Sequence, residues 1–177
     1  MTAALKDRLP ASIRTERLVL TAPTMAHAPA IAQLANNKNV HRWMARLPFP
    51  YTVSDAEFFV GQIVPSAEEA CFAIEADGTF VGVVGLHFAD GEVPELGYWL
   101  GEPFWGKGYA SEAARALVAE ARAAGASALR SRALKENNGS RNVLRKCGFI
   151  EIGEAIEAAN NLADQTMVLM RLEFGER

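Results

Sequence analysis

The sequence predicts an α+β domain. Its centre is one twisted, mostly antiparallel sheet of about seven strands, with about four helices packed on it. Three observations carry this. Runs of apolar and β-branched residues follow one another across short turns, two of them spelled Asp77-Gly78 and Asp90-Gly91. Turns that short join antiparallel neighbours. Further on, a strand, a glycine-rich turn, a helix and a strand follow in that order, which is the signature of a parallel crossover.

The elements fall along the chain as follows. Residues 1–12 read as a loose lead-in to a single domain over 1–177. Arg17-Leu18-Val19-Leu20-Thr21 is a first strand, ended by Ala22-Pro23. Residues 25–35 place Ala28, Ile31, Ala32, Leu34 and Ala35 near helical spacing, with Thr24 as N-cap and Asn36 to Asn39 as the stop. Residues 40–52 are irregular and aromatic, with Trp43, Phe49 and Tyr51 beside Pro48 and Pro50. A loop this apolar covers something, either core or a substrate pocket. Ser54 opens a second helix, with Glu57 placed for a capping box. Residues 71–75 and 80–87 are a hairpin, and residues 95–100 are the next strand. Ala114, Leu117, Val118 and Ala121 then recur at i, i+3, i+4 and i+7, an amphipathic helix stopped at Gly125. Residues 127–133 are a strand. Residues 140–147 are a short helix stopped at Gly148, and 149–152 with 165–172 are a closing strand pair.

Half of the 177 residues are hydrophobic and 22% are charged, the composition of a globular rather than a disordered chain. Cys71 and Cys147 make no disulfide framework, so the expected setting is reducing and cytoplasmic. Charges before the first apolar run predict no secretory leader, and no run is long and uncharged enough for a bilayer. The net charge of −3 is unevenly spread. Residues 1–100 hold 7 Lys+Arg against 11 Asp+Glu, residues 101–150 hold 9 against 4, and residues 151–177 hold 2 against 6. The basic third suits a small polyanion or is simply a solvated helix face; an acidic whole disfavours nucleic acid as a partner.

That basic third contains the glycine-rich turn, Gly101-Glu102-Pro103-Phe104-Trp105-Gly106-Lys107-Gly108-Tyr109-Ala110. A strand-to-helix turn of this kind leaves backbone N–H groups bare at a helix N-terminus, a site for phosphate. Gly101-x4-Gly106-Lys107 nearly spells a nucleotide triphosphate loop, but Gly108 stands where a magnesium-holding hydroxyl is required. Nor does an aspartate-terminated strand supply a second anchor, and G-x-G-x-x-G is incomplete. What remains is a diphosphate held without metal, or a tight turn with no ligand.

The residues that follow carry a resemblance. Trp105-Gly106-Lys107-Gly108-Tyr109-Ala110-Ser111-Glu112-Ala113, with Ile13 to Leu18, Glu95 to Leu100, Asn137, Ser140-Arg141 and Lys146-Cys147-Gly148-Phe149, resembles the GNAT superfamily of N-acetyltransferases, in its RimJ/RimL-like branch. The likeness runs over roughly residues 13–172; Trp105 departs from the family's Gln/Arg at the loop's first position, as the branch often does. It implies the acyl-CoA N-acyltransferase fold with a splayed strand pair. It implies acetyl-CoA as cosubstrate, no metal, and direct transfer to an amine, either a protein N-terminus or a small molecule. By resemblance, residues 105 to 110, thus Trp105, Gly106, Lys107, Gly108, Tyr109 and Ala110, would cradle pyrophosphate. Tyr98, Trp99 and Leu100 would hold pantetheine and an oxyanion, and Asn137 would touch the CoA arm.

Two positions are catalytic candidates. Glu95 is a base, a charge that orients the ammonium, or a strand-end residue. Ser140 is an acid for the departing thiolate or only a helix cap. Trp43, Phe49, Tyr51 and His87 are candidate acceptor contacts. Arg141 and Lys146 are solvated charges or reach a 3′-phosphate. Cys147 reads as a core thiol, and the three histidines lack metal-ligand spacing. Besides the enzyme, a CoA-binding protein without transferase activity fits the same turn.

Overall fold

The computed structural model describes residues 4–175. Ahead of the predicted first strand lie a short helix α1 (Leu5–Arg8) and strand β1 (Ser12–Arg14), which pairs with β2 (Leu18–Thr21). The end of the expected lead-in is therefore edge sheet, anchored by buried Ile13. A 3₁₀ turn (Met25–His27) leads into α2 (Ala28–Ala35). A further short helix, α3 (Lys38–His41), follows where the asparagine run was expected only to stop the preceding helix. Its N-cap is one of those asparagines: Asn37 Oδ1 accepts from Asn39 N–H at 2.7 Å. Helix α4 (Val53–Phe58) starts one residue before the expected cap. Thr52 rather than Ser54 caps it, and Asp55 returns a hydrogen bond to Thr52 N–H. A wider turn (Phe59–Ile63) ends this segment.

Strands β3 (Glu69–Ala76), β4 (Thr79–His87) and β5 (Glu95–Leu100) form a meander. Helix α5 (Tyr109–Ala123) returns the chain to β6 (Ala128–Leu134). Helix α6 (Asn138–Lys146), β7 (Ile150–Ile156) and β8 (Thr166–Glu173) complete it. Strand order is β1-β2-β3-β4-β5-β6-β8-β7, giving, among the described residues, eight strands where about seven were expected and six helices where about four were. Every neighbouring pair is antiparallel except β5 and β6, the ends of the crossover. The additions are all short, three or four residues each, below the length at which periodicity is legible.

Alternation along the strands divides the core in two. Leu96 and Leu100 face α5, where Ala113, Ala114, Leu117 and Ala121 are fully buried. Small residues at three of those four positions let the helix lie close to the sheet, and each fully buried leucine contributes roughly 2 kcal/mol. Trp99 faces the other side, where α2, Tyr51, Phe80 and Val83 form a second cluster. A third, small cluster of Leu134, Leu162 and Met167 receives Trp43 and Ala45 from the aromatic loop.

Candidate active site

Hydrogen-bond parity along β5 creates the site. Gly101 N–H donates to Val81 O at 2.9 Å, so odd-numbered backbone groups of β5 turn to β4 and even-numbered ones to β6. The latter meet a partner only at the start. Arg130 N–H donates to Pro94 O at 2.9 Å, and the buried Ser131 hydroxyl donates to Leu96 O at 2.8 Å. Ladder pairing of the two strands is confined to Glu95 and Arg130. Beyond it they part, and the Tyr98 N–H and C=O and the Leu100 N–H open into the gap. Trp105 Nε1 closes the end by donating to Leu100 O at 2.9 Å.

The glycine-rich turn stands over that gap. Gly106 and Gly108 have φ of +73° and +80°, conformations that cost an L side chain about 1 kcal/mol or more. Gly108 is the N-cap of α5 and supplies no side-chain oxygen. Among the described residues, the N–H groups of residues 106–111 have no acceptor in the protein. Arg17 holds the turn from behind. Its Nη1 donates to Lys107 O at 2.8 Å, and its guanidinium lies 4.8 Å from the Tyr109 ring centre. Carbonyl and N–H of one trans peptide point in opposite directions, so anchoring Lys107 O turns Gly108 N–H outward. Glu112 locks Arg17 in place, accepting from its Nε at 2.7 Å, from its N–H at 2.9 Å and from Thr15 Oγ1 at 2.7 Å. Burial pushes the Glu112 carboxyl up, but these hydrogen bonds outweigh it and hold the group below its ordinary range.

Gap and turn together form a cleft of about 620 Å³. Tyr98, Trp99, Leu100, Trp105, Gly106, Gly108, Tyr109 and Ala110 line it, as do Asn137, Ser140, Glu95 and Trp43. Lys107 does not; its ammonium sits 5.6 Å from the Phe104 ring centre. Three of the four candidate acceptor contacts also lie elsewhere. Tyr51 is buried in the cluster under α2, its hydroxyl pushed up to about 12 by burial and by Asp55. Phe49 stacks on His41 at 5.3 Å, and His87 Nδ1 is held by Glu69 Oε1 at 2.7 Å.

Local chemistry sorts the polar residues. Asn137, not Ser140, is the N-cap of α6: its Oδ1 accepts from Ser140 N–H at 3.1 Å. Capping therefore leaves the Ser140 hydroxyl free, and it lies 2.7 Å from the Tyr98 hydroxyl. Burial raises the Tyr98 phenol well above its ordinary value, against the lowering effect of the Ser140 hydrogen bond, so it stays protonated. Glu95 is an occupied carboxylate: Arg130 Nε and Arg132 Nε each stand 3.3 Å from one of its oxygens. Arg141 is spent on Glu151 at 2.9 Å and on Lys135 O at 2.8 Å, whereas Lys146 lines the cleft. Cys147 is pushed up to about 11 and Cys71 to about 12, chiefly by burial, so neither is a thiolate at neutral pH. Sequence reasoning missed Ser131, Arg132, Arg46 and Asn161, residues whose place depends on the splay and on the loop that covers it.

A helix end with unpaired N–H groups opening onto a splayed strand pair agrees with the family comparison: residues 17–150 match the model of the acetyltransferase (GNAT) domain. The chain belongs to the GNAT family. Within it, the uncharacterized N-acetyltransferase p20 of Bacillus licheniformis is 30% identical over 114 residues, which cover 60% of this chain and 64% of that protein. The match thus spans under two thirds of that relative's length. Among solved structures, Microcin C7 self immunity acetyltransferase MccE, in complex with acetyl-CoA and AMP, superposes with a TM-score of 0.82 at 23% identity, over 94% of this chain and 98% of that one. Mycobacterium smegmatis RimJ, in complex with CoA-disulfide, gives 0.79 at 22% identity, over 94% and 84%. At these identities the likeness to this GNAT chain is one of fold.

Proposed function

We propose that the protein transfers the acetyl group of acetyl-CoA to a primary amine, a protein N-terminal α-amine or a small-molecule amine, by direct attack in a ternary complex. One observation carries this: the unpaired N–H groups of residues 106–111 and the unpaired backbone of Tyr98 and Leu100 lie along one cleft. The first set fits a pyrophosphate without metal. The second fits an extended pantetheine that borrows strand hydrogen bonds, and the Tyr98 N–H is the donor placed for the thioester oxygen as it gains charge. The Trp105-to-Ala113 run places the chain in the RimJ/RimL-like branch on this reading.

The acceptor must attack as a neutral amine. An α-amino group, with pKa ~7.7–8.0, is substantially neutral near pH 7.5, whereas a lysine side chain at ~10.4 is not. Glu95, engaged by two guanidinium groups, is not free to act as a base and instead holds Arg130 and Arg132 beside the cleft. The departing thiolate needs little help, since thiols titrate near ~8.5. The nitrogen loses one proton as the amide forms and the departing sulfur gains one, so the transfer balances; in the arrangement in which the Tyr98 phenol is the donor to Ser140 Oγ, the Ser140 O–H is left to hydrogen-bond to the sulfur as it departs.

Thiol release from acetyl-CoA across a panel of amines tests this. Release with at least one amine is expected; binding of acetyl-CoA without release by any amine would leave only a CoA-binding protein. In calorimetry, Gly108→Ala is expected to weaken acetyl-CoA binding about tenfold. The φ of +80° resists a side chain, and the added carbon would lie 3.3 Å from Arg17 Nη2.

A further inference from the structure

From the charges at the acceptor end of the cleft we infer that the acceptor is an amine that also carries an anionic group, a carboxylate or a phosphate. This rests on the acetyl-transfer reading. Glu95 is the one carboxylate among the residues lining the cleft, and it faces Arg130 and Arg132 at 3.3 Å each. Behind it, Glu92 pairs with Arg130, and Glu157 pairs with Arg132 at 2.7 Å. Each carboxylate at this end is matched within the protein.

The cations are not all matched. Arg46 lines the cleft and, among the described residues, makes no ion pair or hydrogen bond. Four residues earlier, at the C-cap of α3, Arg42 lies 4.2 Å from the ring centre of Trp43, also without an ion pair among the described residues. The mouth is therefore an apolar Trp43 wall with one unmatched guanidinium, that of Arg46, in its lining, while Arg42 lies against the indole. An acceptor with several ammonium groups would enter a positive field and find no free carboxylate. An acceptor with an anion near its amine gains a two-pronged guanidinium contact at Arg46. The same positive field disfavours the ammonium form, so the amine that binds is easier to deprotonate.

The experiment pairs acceptors that differ only in the anion. Phenylalanine is compared with phenylalaninamide, O-phosphoethanolamine with ethanolamine, and spermine serves as the polycation. Thiol release is measured, together with calorimetric binding of each amine to the CoA-saturated protein. The anionic member of at least one pair should exceed its neutral partner about tenfold in kcat/KM or affinity, as one charge-assisted contact allows. The pair that responds tells carboxylate from phosphate. Arg46→Ala should collapse that ratio toward one with acetyl-CoA affinity unchanged, and Arg46→Lys should restore part of it. Spermine or the neutral partners binding as well, no amine binding at all, or a ratio indifferent to Arg46→Ala would each overturn the inference. Discrimination in calorimetry without thiol release would instead overturn the transfer reading and leave an anion-dependent amine site in a CoA-binding protein.

Discussion

At the residue scale, the informative pair is Tyr98 and Ser140. A serine near a helix start suggests a cap, and its neighbour Asn137 takes that task instead. What separates the two is a hydroxyl 2.7 Å from a buried phenol, a contact between a strand and a helix 42 residues apart in the chain. If Ser140 plays the proposed part, donating to the leaving sulfur, Ser140→Ala is expected to lower kcat by about 10- to 100-fold with acetyl-CoA KM little changed. Tyr98→Phe should lower kcat less, since Ser140 keeps its own proton. Steady-state kinetics with both variants checks this; equal loss through KM alone would assign the pair to binding.

At the element scale, the aromatic loop after α3 supplies Trp43, Met44, Ala45 and Arg46 to the lining of the cleft, and on the proposed function it governs acceptor access. It is tied at both ends. Glu102, in the 3₁₀ turn after β5, accepts from Asn37 Nδ2 at 2.6 Å and Asn39 Nδ2 at 2.9 Å. Asn161, between β7 and β8, donates through Nδ2 to Leu47 O at 2.7 Å and Met44 O at 3.2 Å, and through its N–H to Ala45 O at 3.0 Å. Three hydrogen bonds from one residue fix the backbone that carries Trp43 and Arg46. Asn161→Ala should therefore raise the acceptor KM several-fold, about 1 kcal/mol of lost positioning, while acetyl-CoA KM stays put. A parallel rise in both would show that the loop also supports the donor.

On the scale of the whole molecule, the edge of the sheet and the crossover helix are coupled through Glu112. It joins Thr15 and Arg17, next to β2, to the first turn of α5, and Arg17 in turn grips the glycine-rich turn. Because the folded-state pKa of Glu112 is lowered, the unfolded chain takes up its proton first as pH falls. The stability it contributes is fully present above the unfolded value, near ~4.3, and is lost as pH drops through the lower folded value. Glu112→Gln should lower the melting temperature at pH 7 and flatten the acid side of the stability curve below about pH 4.3. Thermal unfolding across pH measures both, and an unchanged acid limb would remove Glu112 from that role. Among the described residues no helix is long and apolar enough to cross a membrane.

Most of the architecture was legible locally. The α5 face showed in the spacing of Ala114, Leu117, Val118 and Ala121, all of them buried, and the glycine-rich turn showed in Gly106 and Gly108, both at positive φ. Periodicity and backbone permissiveness are properties of neighbouring residues, so the chain alone reports them. Three- and four-residue elements such as β1 and α3 escaped, because their stability comes from what they pack on. The same reason placed Tyr51 wrongly beside Trp43: both are aromatics of one loop, yet one fills the core and the other faces the cleft. Sequence thus determined the glycine-rich end of the cleft, a turn built from consecutive residues. Only tertiary structure decided the opposite end. There Glu95 is matched by arginines from β6, the Ser131 hydroxyl substitutes for a missing ladder bond, and Arg46 is left with its charge facing an open cleft. Ion pairing is a property of distances between remote residues, and folding alone sets those distances.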